Sequence, residues 1–467
     1  MLANRLMILL VFVLSTLPVL AQELSLADKI DDLYSKWNRG EQPGCAIGVI
    51  KDGAVVFAEG YGLANLEHRI PFTPETISDI GSVAKQITDF GIVLLLQEGK
   101  LKLTDDIRKY LPEVPDFGQV IEVQHLIHHT SGLREIYETE AIRGNRGGDA
   151  IFQEDVLRLV ERQQELNFPP GDQYMYCNTA YALLAEIIER VSETKFEDWM
   201  QQRIFEPLGM TDTRIMDVQG EIFPNTADSY YYRRSDNTYT KAFDNSTIRG
   251  QGGVYTSLND MLSWMKNLMD PKLGGKEAME QMTSCGILNN GDTLDYAFGL
   301  TVEDYRDMPS IWHSGSSAGY RSLLYIFPEH DLGIMIKNNS PEVPVLGLLK
   351  VVTEHFMGDE LGEMPPKSQR QVPAEVISLP AEGLKSFAGK YFSPELETYY
   401  ELYVAEGKLM ARNFRQGAFE LKPVGKDSFE GSRGYFRNIR FERSEEGEIN
   451  GLRVSNGRVL NLLFVKS

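Results

Sequence analysis

Apolar positions change period several times along the chain, and each change marks an element. Leu26, Ile30, Leu33 and Trp37 recur at helical spacing and predict an amphipathic first helix. The period then shortens to short β-rich runs at 45–50 and 54–58, joined by Lys51-Asp52-Gly53, whose Asp-Gly pair signals a hairpin. An antiparallel sheet starts there. The apolar run 87–96, with Gly99 beyond it, reads as a buried helix with a C-terminal stop. Further helices are predicted at 153–164, 179–192 and 258–269. Beta patterning returns at 297–302, 311–320, 321–327 and 332–337, the last two flanking a turn at 328–331, so this part completes the sheet. The run 345–356 predicts a closing amphipathic helix able to pair with the first.

The two ends differ from this body. Residues 1–21 carry Arg5, an apolar stretch at 6–13 and Val19-Leu20-Ala21, the pattern of a secretory signal with small residues at its cleavage point. The stretch is short and broken by Pro18, which argues against a membrane anchor. The expectation is a secreted protein, periplasmic or extracellular, with no stable membrane insertion after signal cleavage. At the other end, Pro365, Pro366 and Pro373 lie in a polar segment that reads as a linker. Short runs at 389–392, 400–404, 408–413, 419–423, 435–442 and 459–465 follow, separated by Gly, Asn and Asp, and predict a small antiparallel barrel. The predicted boundaries are therefore 1–21 signal, 22–360 main domain, 361–380 linker and 381–467 barrel.

A chain of 467 residues suits two such units. Its formal net charge of -20 excludes a nucleic-acid partner, which needs clustered Lys and Arg. Cys45, Cys177 and Cys285 are odd in number and widely spaced, and are read as free thiols, with one disulfide pair left open.

Candidate chemistry begins at Ser82-Val83-Ala84-Lys85, in the first turn of the 87–96 helix. Residues three apart share a helix face, so the Lys85 amine reaches the Ser82 hydroxyl. Desolvation disfavours a charged lysine, which makes Lys85 a base for a serine nucleophile. Free N–H groups at the helix start suit an oxyanion. The competing reading is a capped helix with a solvated lysine, but the apolar residues that follow Lys85 place it in a core-facing cleft. His125 and His129, four apart, invite a metal reading. No metalloprotease carboxylate and no third ligand accompany them, so they are assigned to buried backbone groups at a helix end. In Tyr176-Cys177-Asn178 the outer side chains share a side, suiting a proton carrier and a substrate clamp; a buried tyrosine beside an N-cap explains them equally well. The glycine-rich 250–257 loop lacks the ending of a phosphate loop, so no nucleotide site is assigned. His313 and Gly315 mark a strand edge where the missing side chain at Gly315 lets a substrate approach.

Ser82-x-x-Lys85, Tyr176-x-Asn178 and His313-x-Gly315, in that order, resemble the motifs of the serine β-lactamase and penicillin-binding superfamily, in its class C-like branch with esterases and D-amino-acid peptidases. The segments 126–133, 252–257 and 319–322 extend the resemblance, which covers roughly residues 26–358. It implies an α+β fold, a β-lactamase/transpeptidase-like antiparallel sheet with a helical subdomain, and the tail resembles the lipocalin-like module carried by some members. It further implies Ser82 as acylated nucleophile, Lys85 as its base, Tyr176 as proton shuttle and Asn178 as holder of the substrate amide. The backbone N–H groups of Ser82 and Ser316 would form the oxyanion hole, with His313 and Gly315 on the substrate strand. His313 stands where many β-lactamases carry a lysine, so a fixed cation for a β-lactam carboxylate is missing. Arg321 is either a substitute cation or an exposed strand arginine. The expected function is hydrolysis of amide or ester bonds through a covalent acyl-enzyme, with a β-lactam, a D-amino-acid peptide or an ester as the small-molecule or peptide substrate, and with no cofactor. The alternatives are a penicillin-binding or sensing protein that acylates at Ser82 with little turnover, and a scaffold with an idle site. Specificity is assigned to loops at 217–247, and the sequence does not reveal the oligomeric state.

Overall fold

The structure, a computed structural model, describes residues 24–37, 41–364 and 380–467. The predicted signal segment and residues 365–379 of the predicted linker lie outside the described residues.

Helix α1 (Leu26–Trp37) leads into β1 (Cys45–Lys51) and β2 (Ala54–Tyr61), the hairpin predicted at Asp52-Gly53. Helix α2 (Lys85–Gln97) is the apolar run, α3 (Asn178–Ser192) follows the Tyr176 loop, and α4 (Leu258–Met269) follows the glycine-rich loop. Strands β3 (Thr301–Tyr305), β4 (Met308–Ser317), β5 (Tyr320–Phe327) and β6 (Leu332–Asn338) then precede α5 (Val345–Phe356). The six strands form one antiparallel sheet in the order β3-β4-β5-β6-β1-β2.

Alternation along the central strands builds the two-sided core. Ile47 and Val49 of β1 pair with Ile336 and Ile334 of β6 and face α1 and α5, joining Ile30, Leu348 and Val352 in one apolar cluster. The intervening Ala46, Ile50 and Met335 point the other way, into the larger cluster that holds α2, α3 and α4. On that side a Cβ at Gly48 would stand 2.8 Å from a Leu262 methyl, so the glycine lets α4 press onto the sheet. The first and last helices of this domain pair as predicted, joined by a bond between Lys29 Nζ and His355 Nδ1 at 3.1 Å.

One predicted strand is displaced. Residues 297–302 alternate correctly for a strand, yet strand geometry begins only at Thr301. Ala297 donates its N–H to Leu300 O, and Gly299 adopts a φ of +65°, with a Cβ there falling 2.4 Å from Gln86 N. The apolar residues are buried in a turn against α2, so burial imitated a strand.

The tail closes into an eight-stranded up-and-down barrel: β7 (Gly389–Ser393), β8 (Thr398–Ala405), β9 (Lys408–Arg412), β10 (Phe419–Pro423), β11 (Ser428–Arg433), β12 (Phe436–Arg443), β13 (Ile449–Asn456) and β14 (Val459–Lys466). Two strands, β11 and β13, escaped the sequence reading because Gly431 and Gly451 interrupt their patterns and charged residues occupy their outer faces. Tyr391, Tyr400, Phe419, Phe436, Phe441 and Phe464 fill the interior as a buried aromatic stack.

The barrel is fastened to the helical side of the main domain. Arg134, 1% exposed, donates from Nε to Glu395 Oε1 at 2.5 Å and from Nη1 to Leu460 O at 2.5 Å. Tyr400 OH donates to Ile142 O at 2.8 Å and Thr398 Oγ1 to Arg143 O at 3.0 Å. Arg415 pairs with Asp149 and Arg453 with Glu165 at the rim.

Candidate active site

The nucleophile turn is set by two glycines. Gly81 has a φ of +51°, and a Cβ on it would lie 2.5 Å from Ser316 N, so only glycine brings this turn against β4. Asp79 Oδ1 holds the turn by accepting the Gly81 N–H at 2.8 Å. Ser82 lies in a tight 3-10 turn, Gly81–Ala84, and the α-helix starts at Lys85. Ser82 thus sits in the first turn of this helix, as the sequence predicts, and that turn is 3-10 rather than α. The three-residue spacing still does what was expected of it, with Lys85 Nζ 3.2 Å from Ser82 Oγ.

Gly315 works differently from its expected role. A Cβ there would stand 1.9 Å from Ile80 O, so the absent side chain admits the nucleophile turn rather than a substrate. Its backbone still lines the cleft beside Ser316.

Lys85 is fully buried, and its Nζ lies 2.8 Å from Asn178 Oδ1 and 2.7 Å from Gln251 O. The orientation of the Asn178 amide follows from its other end, where Nδ2 donates to Glu135 Oε1 at 2.7 Å; a carboxylate only accepts. Oδ1 must therefore face Lys85. A neutral amine has two N–H bonds, which these two carbonyl oxygens accept, and its lone pair is left for the Ser82 hydroxyl. Burial pushes the Lys85 ammonium down to about 7, with the Glu135 carboxylate opposing and Arg458 assisting. The neutral base is thus populated near neutrality.

Asn178 is the first residue of α3 and makes no N-cap; the cap position belongs to Cys177. Its carboxamide bridges Lys85 and Glu135, which explains why a capping reading fails here. Tyr176 packs its ring 4.9 Å from Lys85 Nζ and 4.2 Å from the His129 ring. Burial raises its phenol, while a hydrogen bond with Ser82 pulls the other way, so the hydroxyl stays protonated and able to donate. Cys177 points away, its thiol against the carbonyls of Leu133 and Arg134.

The histidines take three structural posts. His125 Nδ1 accepts the Glu122 N–H at 3.1 Å at a helix start, and His129 Nδ1 accepts the Cys177 N–H at 3.1 Å just before α3. His313 Nδ1 lies 2.6 Å from Ser314 O, so that nitrogen carries the proton and Nε2 accepts from Tyr296 OH at 3.1 Å. Burial, then the Lys85 charge, push His313 down to about 3, and it is neutral throughout the working range.

Ser82 and Ser316 stand at the junction of two arms of one cleft. One, about 270 Å³, is lined by Asp79, Tyr137, Asp244 and Tyr255. Asp244 and its neighbour Phe243 belong to the 217–247 region to which specificity was assigned. Burial and the Asp244 carboxylate raise Asp79 to about 7. The other, about 740 Å³, runs past Tyr176, His313 and Arg321 to Val345 and Leu346. Arg321 is half-buried and donates from Nη1 to Ala318 O at 3.0 Å and Tyr320 O at 2.5 Å, so it is neither the exposed arginine of one reading nor an unengaged cation.

Sequence reasoning missed two charged residues. Glu135 is buried beside Asn178, and Arg458 enters from the barrel, at the turn between β13 and β14. Arg458 donates from Nε to Glu138 Oε1 at 2.9 Å, brings Nη2 to 3.7 Å from Glu135 Oε2, and sets its guanidinium 5.7 Å from the Tyr176 ring centre. The Asn456-Gly457 pair is a turn signal in the sequence, but nothing there says which barrel turn meets the cleft.

Comparison with known proteins agrees with this geometry. The Beta-lactamase family model matches residues 28–347, from α1 into α5. A D-aminopeptidase of Gluconobacter oxydans is 29% identical over 282 residues, 60% of this chain and 52% of its own length. Penicillin-binding protein 4* of Bacillus subtilis is 28% identical over 302 residues, 62% of this chain and 66% of its own length. The chain thus spans between about half and two-thirds of these relatives. Among solved structures, the octameric penicillin-binding protein homologue from Pyrococcus abyssi superposes with a TM-score of 0.63 at 24% identity, covering 95% of this chain and 100% of that one, a likeness of fold. With its family model spanning most of the main domain, and with Ser82, Lys85, Tyr176 and Asn178 gathered around one cleft, the chain belongs to the beta-lactamase family.

Proposed function

We propose that this protein is an exported serine hydrolase that cleaves amide or ester bonds of small D-amino-acid derivatives or peptides through an acyl-enzyme at Ser82. The observation that carries this is the coordination of Lys85: two carbonyl acceptors and one hydroxyl around a buried amine pushed down to about 7. Ser82 Oγ attacks the substrate carbonyl carbon as its proton passes to Lys85 Nζ. The oxyanion is received by the N–H groups of Ser82 and Ser316, whose strand the Gly81 turn abuts. The C–N or C–O bond then breaks, the leaving group takes a proton relayed by Tyr176, and water releases the acyl group by the reverse path.

The choice of substrate rests on two supports. Relatives at 25 to 29% identity include several named D-aminopeptidase. The neutral His313 offers no fixed charge to a β-lactam carboxylate. A second reading, acylation by penicillins with little turnover, is favoured by the likeness to a penicillin-binding protein. Export rests on the pattern of residues 1–21.

The test is a panel of D- and L-amino-acid p-nitroanilides, a short nitrophenyl ester, a chromogenic cephalosporin and a fluorescent penicillin, with Ser82→Ala as control. D-anilide and ester turnover with slow cephalosporin hydrolysis supports the first reading. Stable penicillin labelling without turnover of any substrate replaces it with the second.

A further inference from the structure

We infer that Glu135 and Arg458 are positioning residues of the hydrolytic site: Glu135 orients the Asn178 amide that aims Lys85, and Arg458, carried in by the barrel, balances the carboxylate so that barrel docking sets the pH at which Ser82 becomes reactive. The inference rests on the assignment of Lys85 as the base of Ser82.

The geometry is a continuous chain of contacts across the two domains. Arg458 is tied to Glu138 by its backbone N–H at 2.6 Å and its Nε at 2.9 Å, and the Gly457 turn is pressed so close to Glu138 that a Cβ there would lie 2.7 Å from Oε2. This fixes the guanidinium beside Glu135. Glu135 in turn accepts the Asn178 amide at 2.7 Å and the Glu138 N–H at 2.9 Å. Asn178 Oδ1 takes one N–H of Lys85. The carboxylate is fully buried, and a buried anion needs a compensating charge. Lys85 and Arg458 are the cations beside it. If Lys85 supplied the compensation it would stay protonated and fail as a base; Arg458 removes that demand.

The other groups around Lys85 leave this pair in control. Asp89, one turn along α2, is raised well above its ordinary value by burial and accepts from Tyr181 OH. His129 and His313 are held neutral, the first well below its ordinary value and the second at about 3. The Cys177 thiol is pushed up to about 12 by burial, and the phenols of Tyr176 and Tyr181 are raised by the same cause. Glu138, on the far side of Arg458, is already paired with it. After burial, the charges that bear most on the Lys85 proton are therefore Glu135, which favours the ammonium, and Arg458, which opposes it, with Asp89 adding a smaller push toward the ammonium. Burial raises Glu135 itself, and Arg458 holds it down.

The test follows the rate at which a fluorophosphonate probe modifies Ser82 in the full-length chain between about pH 5 and pH 9.5, which needs no knowledge of the substrate. Labelling of the parent rises through a limb near 7. Glu135→Gln, which still accepts from Asn178, moves the limb down by about one unit, and Arg458→Met moves it up by a similar amount. Arg458→Lys keeps the charge and stays close to the parent, and the double variant returns toward it. A limb that stays in place, single variants that move in the same direction, or an Arg458→Lys shift as large as that of Arg458→Met overturns the inference. Where Arg458→Met does not fold, Arg458→Gln takes its place beside Glu135→Gln: an upward shift in the first with a downward shift in the second supports the inference, and either limb staying in place overturns it. Probe labelling that persists in Ser82→Ala contradicts the hydrolase reading itself, whereas Ser82-dependent labelling with unmoved limbs contradicts only the inference.

Discussion

The two halves of this molecule bury opposite things. The sheet domain sinks ionisable groups into its interior: Lys85, Asp79, Asp89, Glu135 and Lys337 are all 2% exposed or less, each held by hydrogen bonds. The barrel interior is aromatic, from Tyr391 to Phe464, and its charged residues lie mostly on the outer faces of the strands, the rim and the turns, with Glu395 buried at the seam against Arg134. A buried polar network is costly unless every member is satisfied, and it is what shifts acids and bases toward neutrality. A dry aromatic core contributes stability and a rigid frame. On the proposed reading the chemistry belongs to the first domain, and the second brings one charged turn to it, with the Arg458 guanidinium 5.7 Å from the Tyr176 ring centre.

The sharpest break of this contrast is at the nucleophile. Ser82→Ala is expected to lower hydrolysis by a factor on the order of a thousand or more, and Lys85→Met by a comparable factor, both read as kcat/KM on the ester while the folded state persists. In the barrel, where no chemistry is assigned, the effect is on stability. Phe436→Ala, which opens a hole against Tyr400 and Phe464, is expected to destabilise that domain by about 3 to 5 kcal/mol in urea unfolding. Arg134→Met leaves Glu395 buried without its partner at the seam, and is expected to cost about 3 kcal/mol and to loosen the barrel's attachment, read by limited proteolysis near the linker.

Smaller effects sharpen the division within the site. Tyr176→Phe removes the proton relay but leaves Lys85 beside Ser82, so deacylation is expected to slow more than acylation, by about tenfold or more, seen as a burst of nitrophenol before slow turnover. The pH profile of the parent enzyme carries the sign of the base. Lys85 acts when deprotonated, so kcat/KM on the ester falls as the pH drops through about 7 and levels above it. His313→Gln is expected to leave that limb in place, because His313 is already neutral there.

How much of this was legible follows from the range of the interactions. The sheet was readable because the short, β-rich apolar runs at 45–50, 321–327 and 332–337, bounded by turn residues, are local patterns, and Ser82 and Lys85 because three residues along a turn guarantee proximity. The role of Gly315 was misread because the sequence shows an absent side chain but not which neighbour fills the gap, here Ile80 O. Glu135 reads as an ordinary helix start, and it is one, since it accepts the Glu138 N–H; its second contact, with Asn178, lies 43 residues away. Arg458 meets Glu138 across 320 residues, and only the closed barrel decides that the Asn456-Gly457 turn arrives there. Local chemistry was therefore visible and its supporting charges were not.

The central claim, that Ser82 activated by Lys85 forms an acyl-enzyme, is tested most directly by acid-quenching the full-length protein within milliseconds of mixing with an activated D-amino-acid ester and weighing it intact. An added acyl mass that maps to the peptide bearing Ser82, decays at the rate of turnover and is absent from Ser82→Ala is the predicted result. Undiminished turnover by Ser82→Ala, or an adduct that maps to another residue, would contradict the account.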